Sequence, residues 1–142
     1  MDVGKLRTDE RAEEEGVWHD LGEGAKVKTA RINNPEYQKL FSSIDKGKQE
    51  MAERGQLTEE SANELFAYLT GRGLIRDWEN IELDGEKLSP TPENFEKVCK
   101  IKDFRSIIRN LASDMENYLV SNQERDQGNS QRTSRGSSEQ QT

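Results

Sequence analysis

Residues 76–98, RDWENIELDGEKLSPTPENFEKV, decide how this chain folds. Asp84 and Gly85 sit between two short alternating runs, which is the pattern of a two-residue hairpin whose turn residues take positive φ. Beyond it, Thr91 reads as a helix N-cap and Pro92 as the first helical residue, so a new helix opens that carries Phe95, Val98 and Cys99. Pro90 and Pro92 turn the chain sharply. Upstream, Trp78 and Ile81 read as the end of a preceding helix. The stretch is therefore a corner built on Asp84, Gly85, Thr91 and Pro92, with Trp78 packed beneath the hairpin, and it swings the last helices back against the first.

On the N-terminal side, Thr58 caps EESANELFAYLTGRGLIRDW, in which Glu59 and Glu60 occupy the first turn and Ala62, Leu65, Phe66 and Leu69 form a stripe. Gly71 and Gly73 weaken its second half. Before it, NNPEYQKLFSSIDKGKQEMAERGQ reads as one amphipathic helix capped by Asn34 and started by Pro35. Tyr37, Leu40, Phe41, Ile44 and Met51 share its apolar face, and Gly47 weakens it. Earlier still, Val17, His19 and Leu21 alternate with polar neighbours, and Ala25, Val27 and Thr29 do so after the GEG turn, as in a β-hairpin. At the other end, DFRSIIRNLASDMENYL has the cleanest helical period, through Phe104, Ile107, Ile108, Leu111, Ala112, Met115 and Leu119.

The expected fold is mainly α (α+β): a small helical domain of about four helices with an N-terminal β-hairpin, a short second hairpin and a disordered C-terminal tail. Residues 1–15 form a polar, acidic lead-in, residues 16–120 a single folded domain, and residues 121–142 the tail. The tail contains no aliphatic or aromatic side chain with which to offset the entropy of ordering its backbone.

Composition narrows the function. The chain has 142 residues, 30% hydrophobic and 35% charged, with a formal net charge of −7. One modest core is all it can support. The negative charge argues against a sequence-independent grip on nucleic acid, which requires clustered Lys and Arg. Cys99 is the only cysteine, which excludes an intramolecular disulfide and a cysteine metal cluster. No signal-peptide core and no run of about 18 apolar residues is present, so a soluble, unprocessed protein without a membrane role is expected.

No phosphate-binding loop, zinc-ligand motif or nucleophile elbow occurs. His19 is the only histidine and has no partner nucleophile in view; a solvated strand residue is the preferred reading over a general base. Asp77 with Glu79, and Glu13 to Glu15, could hold a cation, but in a chain with 28 acidic residues a solvated face is preferred. Cys99 reads as a small buried hydrophobe rather than a reactive thiol. The stripe from Phe104 to Met115 could be a ridge for a partner helix, and is read as core because so few large apolar residues are available. No catalytic residue, cofactor or metal is expected.

Taken in order, several short signatures resemble a known family. They are the acidic lead-in with GVW at 16–18, A-R-x-x-N-P-x-Y at 30–37, DWE at 77–79 ahead of the Asp-Gly hairpin, TPEN at 91–94, and DFRSIIRNLASDMENY at 103–118. Over about residues 4 to 120 the chain is similar to the tail assembly chaperones of long-tailed bacteriophages. The resemblance implies a non-enzymatic assembly factor of the host cell cytoplasm, absent from the mature virion. It would bind the tape measure protein, keep it soluble and promote polymerisation of the tail tube protein around it. A longer form made by ribosomal frameshifting would engage the tube protein. Weak homo-oligomers are compatible with this role; nucleic acid and membrane are not implied partners.

Client contact is expected from Trp18 on the first hairpin and from Met115, Tyr118 and Leu119 at the end of the last helix, the large apolar side chains least needed by the core. Two alternatives come from other classes. One is a minor structural tail or head–tail joining protein, and the other is a small acidic regulator that binds a host protein.

Overall fold

The structure is a computed structural model that describes residues 1–123. Within it the element order is α1 (Glu10–Glu15), β1 (Val17–Gly22), β2 (Ala25–Thr29), α2 (Pro35–Ser42), α3 (Lys46–Glu53), α4 (Glu59–Leu74), β3 (Ile75–Glu79), β4 (Glu82–Leu83), β5 (Glu86–Lys87), α5 (Pro92–Val98) and α6 (Lys102–Ser113), with 310 turns at Val3–Leu6 and Met115–Tyr118. The mainly helical α+β architecture agrees with the sequence reading. The tail expected for 121–142 lies outside the described residues from position 124 on. At 122 and 123 the side-chain amides of Asn122 and Gln123 donate to the carbonyls of Glu116 and Asn117.

The first hairpin forms as expected, and its turn residues Glu23 and Gly24 both have positive φ, 55° and 79°. It gains a third strand. β3 pairs with β2 so that Val27 lies opposite both His19 and Trp78, while Lys28 lies opposite both Trp18 and Asp77. Trp78 is therefore a strand residue and does not end a helix. The chain leaves α4 at Ile75, and β2 supplies the hydrogen bonds that a longer helix would have made for itself. The sheet's inner face, with buried Val27, Thr29 and Trp78, covers the core, and its outer face carries Trp18, Lys28 and Asp77.

α4 is the central element. Gly71 and Gly73 do not weaken it; they admit its neighbours. A Cβ at Gly71 would stand 2.6 Å from the backbone of Phe95 and Glu96, and one at Gly73 would stand 2.9 Å from the Tyr37 ring. The A-R-x-x-N-P-x-Y segment converges on the same junction. Ala30 N donates to Leu74 O at 2.7 Å. Asn34 caps α2 by accepting from Tyr37 N, and its amide donates to Gly73 O at 2.9 Å.

The single helix expected after Asn34 is two. The break falls at 43–45, ahead of Gly47, because the Asp45 side chain accepts from Lys48 N and so caps a new start. The last helix likewise stops at Ser113, where Asp114 accepts from Glu116 N and opens a 310 turn.

The Asp-Gly corner forms as read. Asp84 and Gly85 have φ of 52° and 84°, as a type I′ turn requires. Thr91 accepts from Asn94 N, with Pro92 starting α5. Trp78 lies beneath, its indole donating to Leu88 O at 3.0 Å and its ring meeting Phe95 edge-on at 4.8 Å.

The lead-in is part of the body. Its hydrophobic content is small, yet its backbone finds partners: Asp9 N donates to Tyr118 O, Val120 N to Arg7 O and Arg31 N to Glu13 O. Glu13 pairs with Arg31 at 2.6 Å, Glu14 O accepts from Arg76, and Ala12 is buried.

Candidate functional site

The tip of the first hairpin, the β3–β4 link with β4, and the start of α6 enclose an open groove of about 480 Å³. Leu21 and Ala25 reach it from the first hairpin, Ile81 and Leu83 from the second, and Ile101, Phe104 and Ile107 from α6 and its approach. Its walls are fixed by named bonds. Asn80, itself at φ 58°, donates through its amide to Gly24 O at 2.9 Å and ties the first tip to the β3–β4 link. Leu88 N closes the second hairpin on Ile81 O. Arg105 holds the start of α6 to α4, donating to the side-chain oxygen of Asn63 at 2.7 Å and to Cys99 O at 3.0 Å. Among the described residues the charged ones that line the groove are Glu23 and Glu82, with no Lys, Arg or His.

The stripe of α6 divides about this groove. Ile108 and Ala112 are fully buried in the core, whereas Ile107 is 46% exposed. Ile101, just before the helix, is 49% exposed. The reading of the whole stripe as core therefore holds for one side of the helix and fails for Ile107. Arg109 anchors the buried side, donating to Thr70 Oγ1 at 2.9 Å and to Tyr37 Oη at 3.2 Å, with its guanidinium over the Phe66 ring.

The four residues chosen from sequence for client contact are not brought together. Trp18 is exposed on the outer sheet face, away from the groove. Tyr118 is a correction: it is fully buried, its hydroxyl donating to Thr29 O at 3.0 Å, and burial raises its pKa. It serves as the core anchor of the C-terminal segment because the aromatic body fills space under β2 while the hydroxyl finds a carbonyl. Met115 and Leu119 are half-buried, and Leu119 bridges to Thr8 of the lead-in. The N-terminal segment thus occupies the surface expected to be free. The exposed apolar residues that line the groove are instead Ile101 and Ile107. Ile107 already stood in the periodic stripe, and Ile101 stands where a capping side chain would be expected.

The other sequence candidates have structural explanations. Asp77 lies across from Lys28, and Glu79 across from Lys26, on the outer face of the sheet. Glu15 pairs with Arg11 on the surface. Cys99 is buried, and burial pushes its thiol up to about 12, far from the thiolate that chemistry would need. His19, expected to be a solvated strand residue, instead points to the inner side of the sheet with its Nε2 buried and unpartnered among the described residues. Burial, offset in part by Asp114, lowers its pKa to about 4, so it is neutral at pH 7. A second pocket of about 450 Å³ contains Arg72 and Arg76. Both are already engaged, Arg72 with Glu96 at 2.7 Å and Arg76 with Glu14 O, Gly73 O and Asn34 Oδ1. Among the described residues no group of three or more His, Cys, Asp or Glu could hold a metal ion, and no helix is long and apolar enough to cross a membrane.

A protein-family model described as YdaY prophage protein matches residues 32–129, well over half of the chain. The match takes in α2 through α6 and leaves out Trp18 and the first hairpin. No curated protein and no solved structure matches.

Proposed function

The chain belongs to the YdaY prophage protein family, and from its resemblance to the tail assembly chaperones of long-tailed bacteriophages we propose that it is a phage tail assembly chaperone, which binds the tape measure protein, keeps it soluble and promotes tail tube polymerisation around it. The observation that carries this reading is the groove: a half-exposed apolar surface with an acidic rim on a chain that is otherwise strongly polar. Contiguous exposed apolar surface is unfavourable for a chain that works alone and is the usual mark of a surface that works when covered. The net charge of −7 supports it from another side, since it favours solubility at high expression and disfavours capture by phage DNA. The work is binding and release rather than catalysis. It takes place in the host cytoplasm, the mature virion lacks the protein, and a longer frameshifted form engages the tail tube protein.

Co-expression with the tape measure protein of the same prophage, followed by affinity capture, tests this. Soluble client carrying several copies of the chain is the expected result, because many weak contacts along one polymer give high occupancy. Client that stays insoluble and uncaptured refutes the reading, and finding the chain in purified virions would make it a structural component instead.

A further inference from the structure

Ile101 is the N-cap of α6 and makes no side-chain cap hydrogen bond. Ser, Thr, Asp or Asn at that position would satisfy a free backbone amide and stabilise the helix by about 1 kcal/mol. The isoleucine is also 49% exposed, so water surrounds half of it. Both considerations disfavour it in the isolated chain. Ile107, at 46%, is exposed on the same groove, and from residue 7 onward no other large apolar side chain among the described residues is as exposed as these two.

We propose that the groove docks an amphipathic helical segment of the client, with apolar anchors about two turns apart and Lys or Arg beside them. Ile101 and Ile107 are separated by about 9 Å along the helix axis, close to the i, i+7 spacing of about 10.5 Å on a docked helix. Glu23 on one wall and Glu82 on the other match flanking cations, and among the described residues no basic side chain in the lining repels them. On the second-hairpin side a strand is the poorer occupant: β4 and β5 have two residues each and pair with one another, which leaves too short an edge to extend there. The client's identity rests on the proposed chaperone role, whereas the chemistry of the occupant rests on the groove.

The full chain, with labelled Ile and Leu methyl groups, is titrated with a synthetic helical peptide of about 15 residues bearing Leu at i, i+3 and i+7 with flanking Lys. A scrambled peptide of the same composition is the second probe. The amphipathic peptide should shift the methyl signals of Ile101, Ile107 and Leu83 to saturation, and the scrambled one should bind about tenfold more weakly. Ile101→Ser should keep or raise the thermal midpoint while weakening peptide binding, and capture of the tape measure protein, by about tenfold. A residue that only packs the fold would not give that combination. Equal binding of both peptides, or shifts confined to the Trp18 face, overturns the proposal. So does movement of the same methyl signals with chain concentration alone, which would make a second copy the occupant. Peptide bound in the groove while wild-type chain leaves the tape measure protein insoluble would retain the docking site and reject the chaperone role.

Discussion

At the scale of single residues, the protein holds polar groups where they shape its response to solution conditions. His19 lies under the first hairpin with its imidazole withdrawn from water and its pKa lowered to about 4 by burial. The unfolded chain, with an ordinary value of 6.5, takes up this proton first. Stability from His19 is therefore fully present above pH 6.5 and is lost as the pH falls towards 4, by an amount on the order of 3 kcal/mol. Denaturant melts at pH 7 and pH 4.5 should show a larger fall for wild type than for His19→Gln. An equal fall would mean that water reaches the imidazole.

At the scale of elements, the α4–α5 crossing is set by the absence of a side chain. Gly71 lets the backbones of the two helices touch, and a methyl group there has only backbone to displace. Gly71→Ala should accordingly destabilise the fold by about 1–3 kcal/mol, although alanine is the better helix former by about 1 kcal/mol. A stabilised variant in a chemical melt would show that α5 can retreat freely. The same crossing explains why local helix propensity misleads here. A glycine pair near a helix end reads as weakness, while its use lies in contact with residues more than twenty positions away. Turn and cap chemistry is more transparent, since the Asp84-Gly85 hairpin, the Thr91-Pro92 start and the Asn34-Pro35 start are all local in origin.

At the scale of the whole molecule, the acidic lead-in closes the structure by joining the C-terminal segment to the sheet. Deleting residues 2–15 would leave Tyr118 O, Arg31 N and Arg76 Nε without their present partners, while the rest of the Arg76 guanidinium keeps Gly73 O and Asn34 Oδ1. The thermal midpoint should fall by on the order of 10 °C, and an unchanged midpoint would show that the segment merely rests on the surface. Such docking was hidden in the sequence because the segment has almost no apolar pattern and is held by backbone bonds and the Glu13–Arg31 pair.

Elements with local causes are legible along the chain: the two hairpins, the proline-started helices, the apolar faces, the acidic surface and the core role of Trp78. Tertiary structure alone decided that residues 75–79 join the sheet, that Tyr118 is buried, and that Ile101 and Ile107 face one groove. The physical reason is that exposure belongs to the assembled molecule. Periodicity places Ile107 and Ile108 side by side in the chain, and only the position of α4 on one side and the open groove beside the hairpins on the other puts one in the core and leaves the other half-exposed.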